Sequence, residues 1–256
     1  MATYSSIGLS NETSIARISA MLVLIVSASM MAHCEDAQPN DGPPDAIREI
    51  VENEVKKVGP NTYEIGNIRI DAAAKEISFP ANVNMNEGLI EVIISTPLGK
   101  LHEAVLVADI QPLRLHVALL LLSQTPGSNP GWDLLPDHSM RPEGWDRPPG
   151  SMLDVFVSWN TPDGEREIRA DELLMDIRTK RSMPRTGWVF VGSRIGSRGA
   201  YLADGHGSVM TSYHDFTSVI DNPLAAGRLD EYMYANETLV PKPGTSVRVR
   251  ITPATK

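Results

Sequence analysis

Residues 89–123, LIEVIISTPLGKLHEAVLVADIQPLRLHVALLLLS, decide the predicted fold. Residues 89–96 form an apolar run typical of a buried strand, and residues 97–100 have the Pro and Gly content of a turn. Because residues 101–108 are again strand-like, we expect them to return as the hairpin partner of the first strand. Pro112 suits the first position of a helix, and the residues after it are apolar nearly all round, as in a helix buried in a core.

Strand-like patterns continue on both sides of this stretch. Gly66 and Asn67 mark a tight turn between two short strands. Further strands are predicted at residues 76–80, 152–159, 165–170, 188–192, 200–203, 208–213 and 246–252, and a short helix at residues 171–177. We therefore expect an α+β domain of predominantly antiparallel β-sheet, with one core helix at about residues 112–123.

Residues 124–151 are a long stretch rich in Pro and Gly. Loops of this length are uncommon inside compact domains and often carry function. Trp132 and Trp145 indicate that parts of this loop pack against the domain. The alternative to one domain is a division of the chain at this loop.

The N-terminal residues 1–34 have the layout of a secretory signal peptide. A polar segment ends at Arg17, the apolar run ISAMLVLIVSA follows at residues 18–28, and small residues come next. This run is shorter than the ~20 residues of a membrane-spanning helix, so an uncleaved anchor is the second interpretation. A lipoprotein with lipid on Cys34 ranks third, because His33 departs from the small residues expected there. The sequence therefore predicts an exported protein, periplasmic or held in the cell envelope.

Residues 35–57 are predicted to form an acidic linker, since they hold seven acids and three bases. Apolar side chains at helical spacing indicate a short helix in residues 45–57. The remaining residues, 58–256, are expected to form the globular domain. The chain has a formal net charge of -9 and no basic stripe, so nucleic acid is not an expected partner. Any contact with a membrane is expected through the N-terminal segment alone.

The chain has one cysteine, Cys34. A single thiol cannot form an internal disulfide, and it excludes an iron–sulfur cluster held by four cysteine ligands. The serine-hydrolase pattern G-x-S-x-G is also absent from the sequence. No catalytic residue and no cofactor are therefore predicted, although a divalent metal ion is left open.

Five segments together resemble the YdjY-like domain of exported bacterial proteins. They are GKLHEAVLVAD (99–109), PLRLHVALLLL (112–122), WVFVGS (188–193), YLADGHGSV (201–209) and YHDFTSVIDNP (213–223). The resemblance covers roughly residues 60–253 and implies an exported domain, without a mechanism that can be carried over. The label "ferredoxin-like" given to some members does not transfer, because Cys34 is the only cysteine.

The first candidate site comprises His102, Glu103 and His116. A His/Glu/His set suits zinc or another borderline metal. The alternative is that both histidines are hydrogen-bonded inside the domain and that Glu103 caps a helix or pairs with a histidine. Successive residues of a regular strand point to opposite faces, so His102 and Glu103 meet one ligand only if the strand is bulged.

Two further groups contain polar side chains in glycine-rich surroundings. Arg194 and Arg198 lie in a Gly/Ser/Arg stretch that could cradle an anion, with a plain hairpin loop as the alternative. The second group is acidic and histidine-rich, and ordinary turn residues are its alternative interpretation. Its members are Asp204, His206, His214, Asp215 and Asp221.

These patterns favour a cell-envelope binding or interaction module that recognises an envelope protein or a small ligand. The supporting features are the export segment, the acidic linker and the lack of a catalytic motif. The alternative is a metal-binding or redox-accessory envelope protein that uses His102, Glu103 and His116. Metal analysis of the purified protein separates the two hypotheses.

Overall fold

The computed structural model describes residues 45–127, 150–196 and 199–255. The chain forms two compact units, Met1–Val55 and Lys56–Lys256. In the described part of the first unit, helix α1 spans Asp45–Asn53 and has two buried side chains, Ile47 and Ile50. Along the described ranges, no helix has the length and apolar character needed to cross a membrane.

Strands dominate the second unit. Its strands are β1 (Lys56–Lys57), β2 (Thr62–Ile65), β3 (Ile68–Asp71), β4 (Glu76–Val83), β5 (Val92–Ser95), β6 (Ala104–Val107), β7 (Met152–Thr161), β8 (Gly164–Arg169), β9 (Leu174–Asp176), β10 (Arg181–Ser182), β11 (Trp188–Phe190), β12 (Ser208–Thr211), β13 (Ile220–Asp221), β14 (Met233–Ala235) and β15 (Ser246–Pro253). Its helices are α2 (Pro112–Leu121), α3 (Leu202–His206) and the 3-10 helices Leu101–Glu103, Ala170–Leu173 and Ala225–Arg228.

Eight of these strands close into a barrel. Their order is β4-β15-β7-β11-β13-β12-β5-β6, and β6 pairs with β4 to complete the ring. The pairs β5–β6 and β12–β13 are parallel, whereas the other neighbours in the ring are antiparallel. Strands β1–β3 continue the sheet beside β4, β8 pairs with β7, and β10, β9 and β14 form a separate small sheet.

The predicted α+β fold, an antiparallel sheet with a core helix, is therefore wrong, although the β-rich character is confirmed. The structure is a closed barrel of mixed strand directions, and its described residues contain three α-helices in total. The main error concerns β5 and β6, which do not form a hairpin. The 3-10 helix Leu101–Glu103 returns the chain to the end where β5 began, so β6 runs parallel to β5.

Alternating burial explains why the long strands pack into a barrel wall. In β15, Val247, Val249 and Ile251 are buried, and Arg248 between them is exposed. The same strand pairs with β4 on one side and β7 on the other, over six residue pairs each. Period-two burial of this kind places one face of each strand in the core.

Helix α2 is apolar and almost wholly buried, and a side chain from α3 caps its N-terminus. The carboxylate of Asp204 accepts the backbone N–H of Leu113 at 2.9 Å and the side-chain amide of Gln111 at 2.7 Å. An acceptor at this position satisfies a helix N–H that has no partner within the helix. Helix α3 replaces the strand predicted at residues 200–203, and Gly207 ends it in the left-handed conformation.

Candidate functional site

One rim of the barrel collects the ends of four neighbouring strands. Strands β12 and β13 end there, and the parallel pair β5 and β6 begins there, because β12 runs antiparallel to β5. Five polar side chains lie in the segments at these strand ends, and we call them the rim cluster. They are Glu91, Lys100, Glu103, Tyr213 and Asp215.

Backbone hydrogen bonds hold the segments of the rim cluster together. The N–H of Glu91 donates to the carbonyl of Glu103 at 3.1 Å, and the N–H of Ser212 donates to the carbonyl of Glu91 at 2.9 Å. The side-chain amide of Asn222 donates to the carbonyl of Ser212 at 2.6 Å. The cluster is therefore built on a fixed backbone that joins three distant parts of the chain.

Lys100 is the cation of the rim cluster. Its ammonium forms an ion pair with Glu91, lies 3.9 Å from the carboxylate of Glu103 and sits 5.6 Å from the ring centre of Tyr213. Partial burial opposes the charged ammonium, but Glu91, Glu103 and Asp215 outweigh it and raise the pKa of Lys100. The Lys100 side chain is 48% exposed, whereas that of Glu91 is 10% exposed, so the cluster opens to solvent at the lysine.

Glu91 and Glu103 form a pair of neighbouring carboxyl groups. Burial, the hydrogen bond to Glu91 and the charge of Glu91 raise the pKa of Glu103, against the opposing charge of Lys100. The Glu103 carboxyl therefore takes up a proton at a higher pH than an isolated glutamate does, because a neighbouring negative charge disfavours its ionised form. Burial and the neighbouring acids Asp215 and Glu91 also raise the pKa of Tyr213, which remains a neutral phenol.

His214 and Asp221 lie beside the rim cluster and form a second ionisable pair. His214 Nδ1 is 3.2 Å from Asp221 Oδ2, and the Asn222 N–H donates to Asp221 Oδ1 at 2.7 Å. Complete burial raises the pKa of Asp221 to about 6, although the hydrogen bond and charge of His214 oppose this shift. Asp215 has a different local role, since it accepts the N–H of Thr217 at 2.8 Å and its hydroxyl at 2.7 Å.

The structure places the members of the predicted metal set in different environments. His102 lies in the 3-10 helix Leu101–Glu103 with its side chain 75% exposed, and its Nε2 is 3.8 Å from Glu103. His116 is buried on α2. No group of three His, Cys, Asp or Glu residues within the described ranges could hold a metal ion. The metal hypothesis thus remains a prediction without a gathered ligand set.

His116 has its own partners in the interior. Its Nδ1 lies 3.1 Å from the carbonyl of Gly192 and 2.9 Å from the hydroxyl of Tyr201, which itself donates to that carbonyl. Because a carbonyl can only accept, Nδ1 carries the proton. Burial lowers the pKa of His116 to about 4, so the ring is neutral at physiological pH. Its buried Nε2 has no hydrogen-bond partner among the described residues.

The other predicted residues have varied positions. Asp204 caps α2, and His206 lies at the end of α3, where its carbonyl is close to Gly99. Arg194 lies 5.7 Å from the ring centre of Phe216. Arg198, the lipidation candidate Cys34 and the signal segment 1–34 lie outside the described residues, as do 128–149 of the predicted loop.

Sequence patterns alone missed Glu91, Lys100 and Tyr213 as members of one site. Glu91 was contained in an apolar predicted strand, and Lys100 was assigned to a turn. A useful signal was present, because an acid inside an apolar strand requires a buried partner. That partner is Lys100, nine residues away.

Comparison with known protein families identifies the family to which most of the chain belongs. The family model for the YdjY domain matches residues 68–252. Neither curated proteins nor solved structures gave a match. This match confirms the predicted resemblance, and the matched range contains all five segments on which the resemblance was based, together with every residue of the rim cluster. The chain belongs to the YdjY domain family.

Proposed function

We propose that this chain is an exported cell-envelope protein whose YdjY domain is a non-catalytic binding module, and that the rim cluster binds a cationic group of its partner. The partner is an envelope protein or a small ligand with an ammonium or guanidinium group. The observation that carries the proposal is the convergence of two family segments, 99–109 and 213–223, at one solvent-accessible rim. No catalytic role is assigned to any residue.

The charge balance of the rim favours a cation over an anion. The carboxyl groups of Glu91, Glu103 and Asp215 all act on the single ammonium of Lys100. Since one lysine cannot neutralise three carboxylates, the rim keeps acceptor capacity for a second cation. The exposed Lys100 side chain can move aside without unfolding the barrel, and the ring of Tyr213 then offers a face to the incoming charge.

The first test measures binding of spermidine to the full-length protein at pH 8 by isothermal titration calorimetry. We expect Glu103→Gln to weaken binding about tenfold, because it removes one carboxylate while the amide keeps a hydrogen bond to Glu91. Glu87→Gln is the matched control, since Glu87 is exposed and lies outside the cluster. Binding should also weaken as the pH falls, because the pKa of Glu103 is raised and its carboxyl takes up a proton early.

Equal affinities of the Glu103→Gln protein and the wild type would refute the rim as the binding site. Absence of spermidine binding to the wild-type protein would lead to the same conclusion. Stoichiometric metal in the purified protein, lost in His102→Ala, would instead support the metal-binding alternative.

Export has a separate test. We expect the wild-type chain in a bacterial host to be found in the envelope fraction and shortened by about 30 residues, which is the upper end of the usual range for signal peptides. A double substitution in the apolar run, Leu22→Asp and Leu24→Asp, should hold the full-length chain in the cytoplasm. Wild-type chain of full length in the cytoplasmic fraction would contradict the export proposal.

A further inference from the structure

The small sheet of β10, β9 and β14 bears a basic segment in an otherwise acidic protein. Residues 178–185 contain four basic side chains and no acid, whereas the whole chain has a net charge of -9. The segment comprises most of the turn between β9 and β10, strand β10 itself and the three residues that follow this strand. A local concentration of positive charge on an acidic protein attracts anions to that position.

Two of the four cations are neutralised by acids. Arg178 donates from Nε and Nη2 to the two carboxylate oxygens of Asp176, at 3.0 and 2.6 Å, and lies 4.0 Å from the ring centre of Tyr232. Arg185 pairs with Glu172 at 2.7 Å. Each of these two acids is neutralised by its arginine, so the two ion pairs contribute no net charge to the segment.

The other two cations, Lys180 and Arg181, are exposed. Neither has an ion pair or a ring contact with any residue that the structure describes. Lys180 lies in the turn at a positive φ of 53°. The segment therefore presents two uncompensated positive charges to solvent.

Arg181 lines a cleft of about 620 Å³. Thr179 and Ser182 also line the cleft, as does the acid Asp176. The remaining lining is mainly apolar and consists of Pro184, Leu224, Ala225, Ala226 and Met233. The volume lies within the usual range of small-ligand sites, about 300–1,000 Å³.

We propose that this cleft binds an anionic group, phosphate or carboxylate, that is attached to an apolar body. The guanidinium of Arg181 receives the anion, since its planar fork matches the oxygens of both groups. The hydroxyl of Ser182 accepts from the side-chain amide of Asn236 at 3.3 Å and donates its own proton to the oxygens of the anion. The hydroxyl of Thr179 donates to the carbonyl of Asp176 at 3.5 Å, so it is not a donor to the anion. The apolar body lies along Leu224 and Met233. Asp176 does not repel the anion, because Arg178 holds its carboxylate in a bidentate ion pair.

The second described cleft is a poorer anion site. It has a volume of about 470 Å³ and lies at the N-terminus of α2, where its lining includes one cation, Arg114, and two acids, Asp109 and Asp204. Asp204 already accepts the first free N–H of the helix, and its charge repels a second anion. No residue of the rim cluster lines the basic cleft, and the two sites are proposed for ligands of opposite charge.

The test measures binding of hexyl phosphate to the full-length protein by calorimetry. We expect Arg181→Gln to weaken binding about tenfold, through loss of a charge-assisted bidentate contact. Lys242→Gln removes the same charge from an exposed residue that does not line the cleft, and its affinity should stay within about twofold of the wild type because salt screens charges that do not contact the ligand.

A vesicle arm identifies the source of the anion. Co-sedimentation with phosphatidylglycerol/phosphatidylcholine vesicles that is reduced in Arg181→Gln, but not in Lys242→Gln, assigns the cleft to lipid headgroups. Arg181-dependent binding of hexyl phosphate without such co-sedimentation assigns it to a free anionic ligand. Wild-type protein that binds neither probe, or Arg181→Gln protein that binds hexyl phosphate as the wild type does, overturns the proposal.

Discussion

The Gly207→Ala protein should lose several kcal/mol of its free energy of unfolding. Gly207 has a φ of 69°, and an added Cβ would lie 2.5 Å from the nitrogen of Gly99 and 2.7 Å from the hydroxyl oxygen of Thr96. The left-handed conformation alone costs a non-glycine residue about 1–3 kcal/mol. Overpacking against a fixed backbone adds about 1–3 kcal/mol. Urea-induced unfolding followed by circular dichroism measures the difference from the wild type.

Gly244→Ala separates the two costs. Gly244 also has a positive φ, 85°, but nothing lies within 4 Å of an added Cβ. This variant should therefore lose only the conformational contribution of about 1–3 kcal/mol. If both glycine variants lose the same free energy, the close approach of Gly207 to Gly99 does not constrain the fold.

The second large effect is expected for Arg169→Met, which should lower the free energy of unfolding by about 3–5 kcal/mol at pH 7. Arg169 pairs with Asp154 at 2.7 Å and with Asp171 at 3.1 Å, and the Asp171 side chain is fully buried. Methionine keeps most of the apolar stem but leaves two carboxylates without their cation. Urea denaturation at pH 7 provides the measurement.

Arg185→Met is the control for this prediction. Arg185 is exposed and pairs with Glu172, and surface ion pairs contribute about 0–1 kcal/mol. Adding Asp171→Asn to the Arg169→Met protein should recover part of the loss, because a neutral amide needs no cation. A loss no larger than that of Arg185→Met would show that the buried pairing does not stabilise the barrel.

The Arg169→Met effect also has a definite pH dependence. Burial raises the pKa of Asp171 in the folded wild type, and Arg169 opposes the shift. Without Arg169 the folded-state pKa rises further above that of the unfolded chain. The charged carboxylate then destabilises the folded state at pH values above its folded pKa, and protonation removes this cost as the pH falls. The difference in unfolding free energy between variant and wild type should thus be smaller at pH 5 than at pH 7.

Local turn chemistry predicted part of the fold. The turn at Gly66 and Asn67 joins β2 and β3, as the sequence predicts. The strands predicted at residues 152–159 and 165–170 correspond to β7 and β8, which pair with each other through a turn that begins at Thr161. In both cases the two strands are joined by a short turn whose residue types are specific. Such pairings depend on neighbours in the sequence, and for this reason a single sequence reveals them.

Strand direction was not predictable from the same patterns. An apolar strand looks alike in parallel and antiparallel pairs, so residues 101–108 gave no sign that β6 runs parallel to β5. The deciding element is the 3-10 helix Leu101–Glu103, which is too short to have a periodicity of its own. Helix α3 has only five residues, Leu202–His206, and was mistaken for a strand for the same reason.

The candidate site was predicted only in fragments. Glu103 and Asp215 were both selected from the sequence, but in different groups and with different partners. Their association through Lys100 depends on which strand ends share a rim, and closure of the barrel decides this. Side-chain type indicates which residues can do chemistry, whereas their proximity follows from the order of strands separated by about a hundred residues.

The position of β15 has a consequence for the order of folding. This strand, Ser246–Pro253, inserts between β4 and β7 and pairs with both along most of its length. Before it inserts, β4 and β7 each have one backbone edge without its neighbour in the barrel wall. The ring of eight strands therefore cannot close until residues 246–253 have taken their place, and an open barrel exposes two strand edges on which another chain could pair.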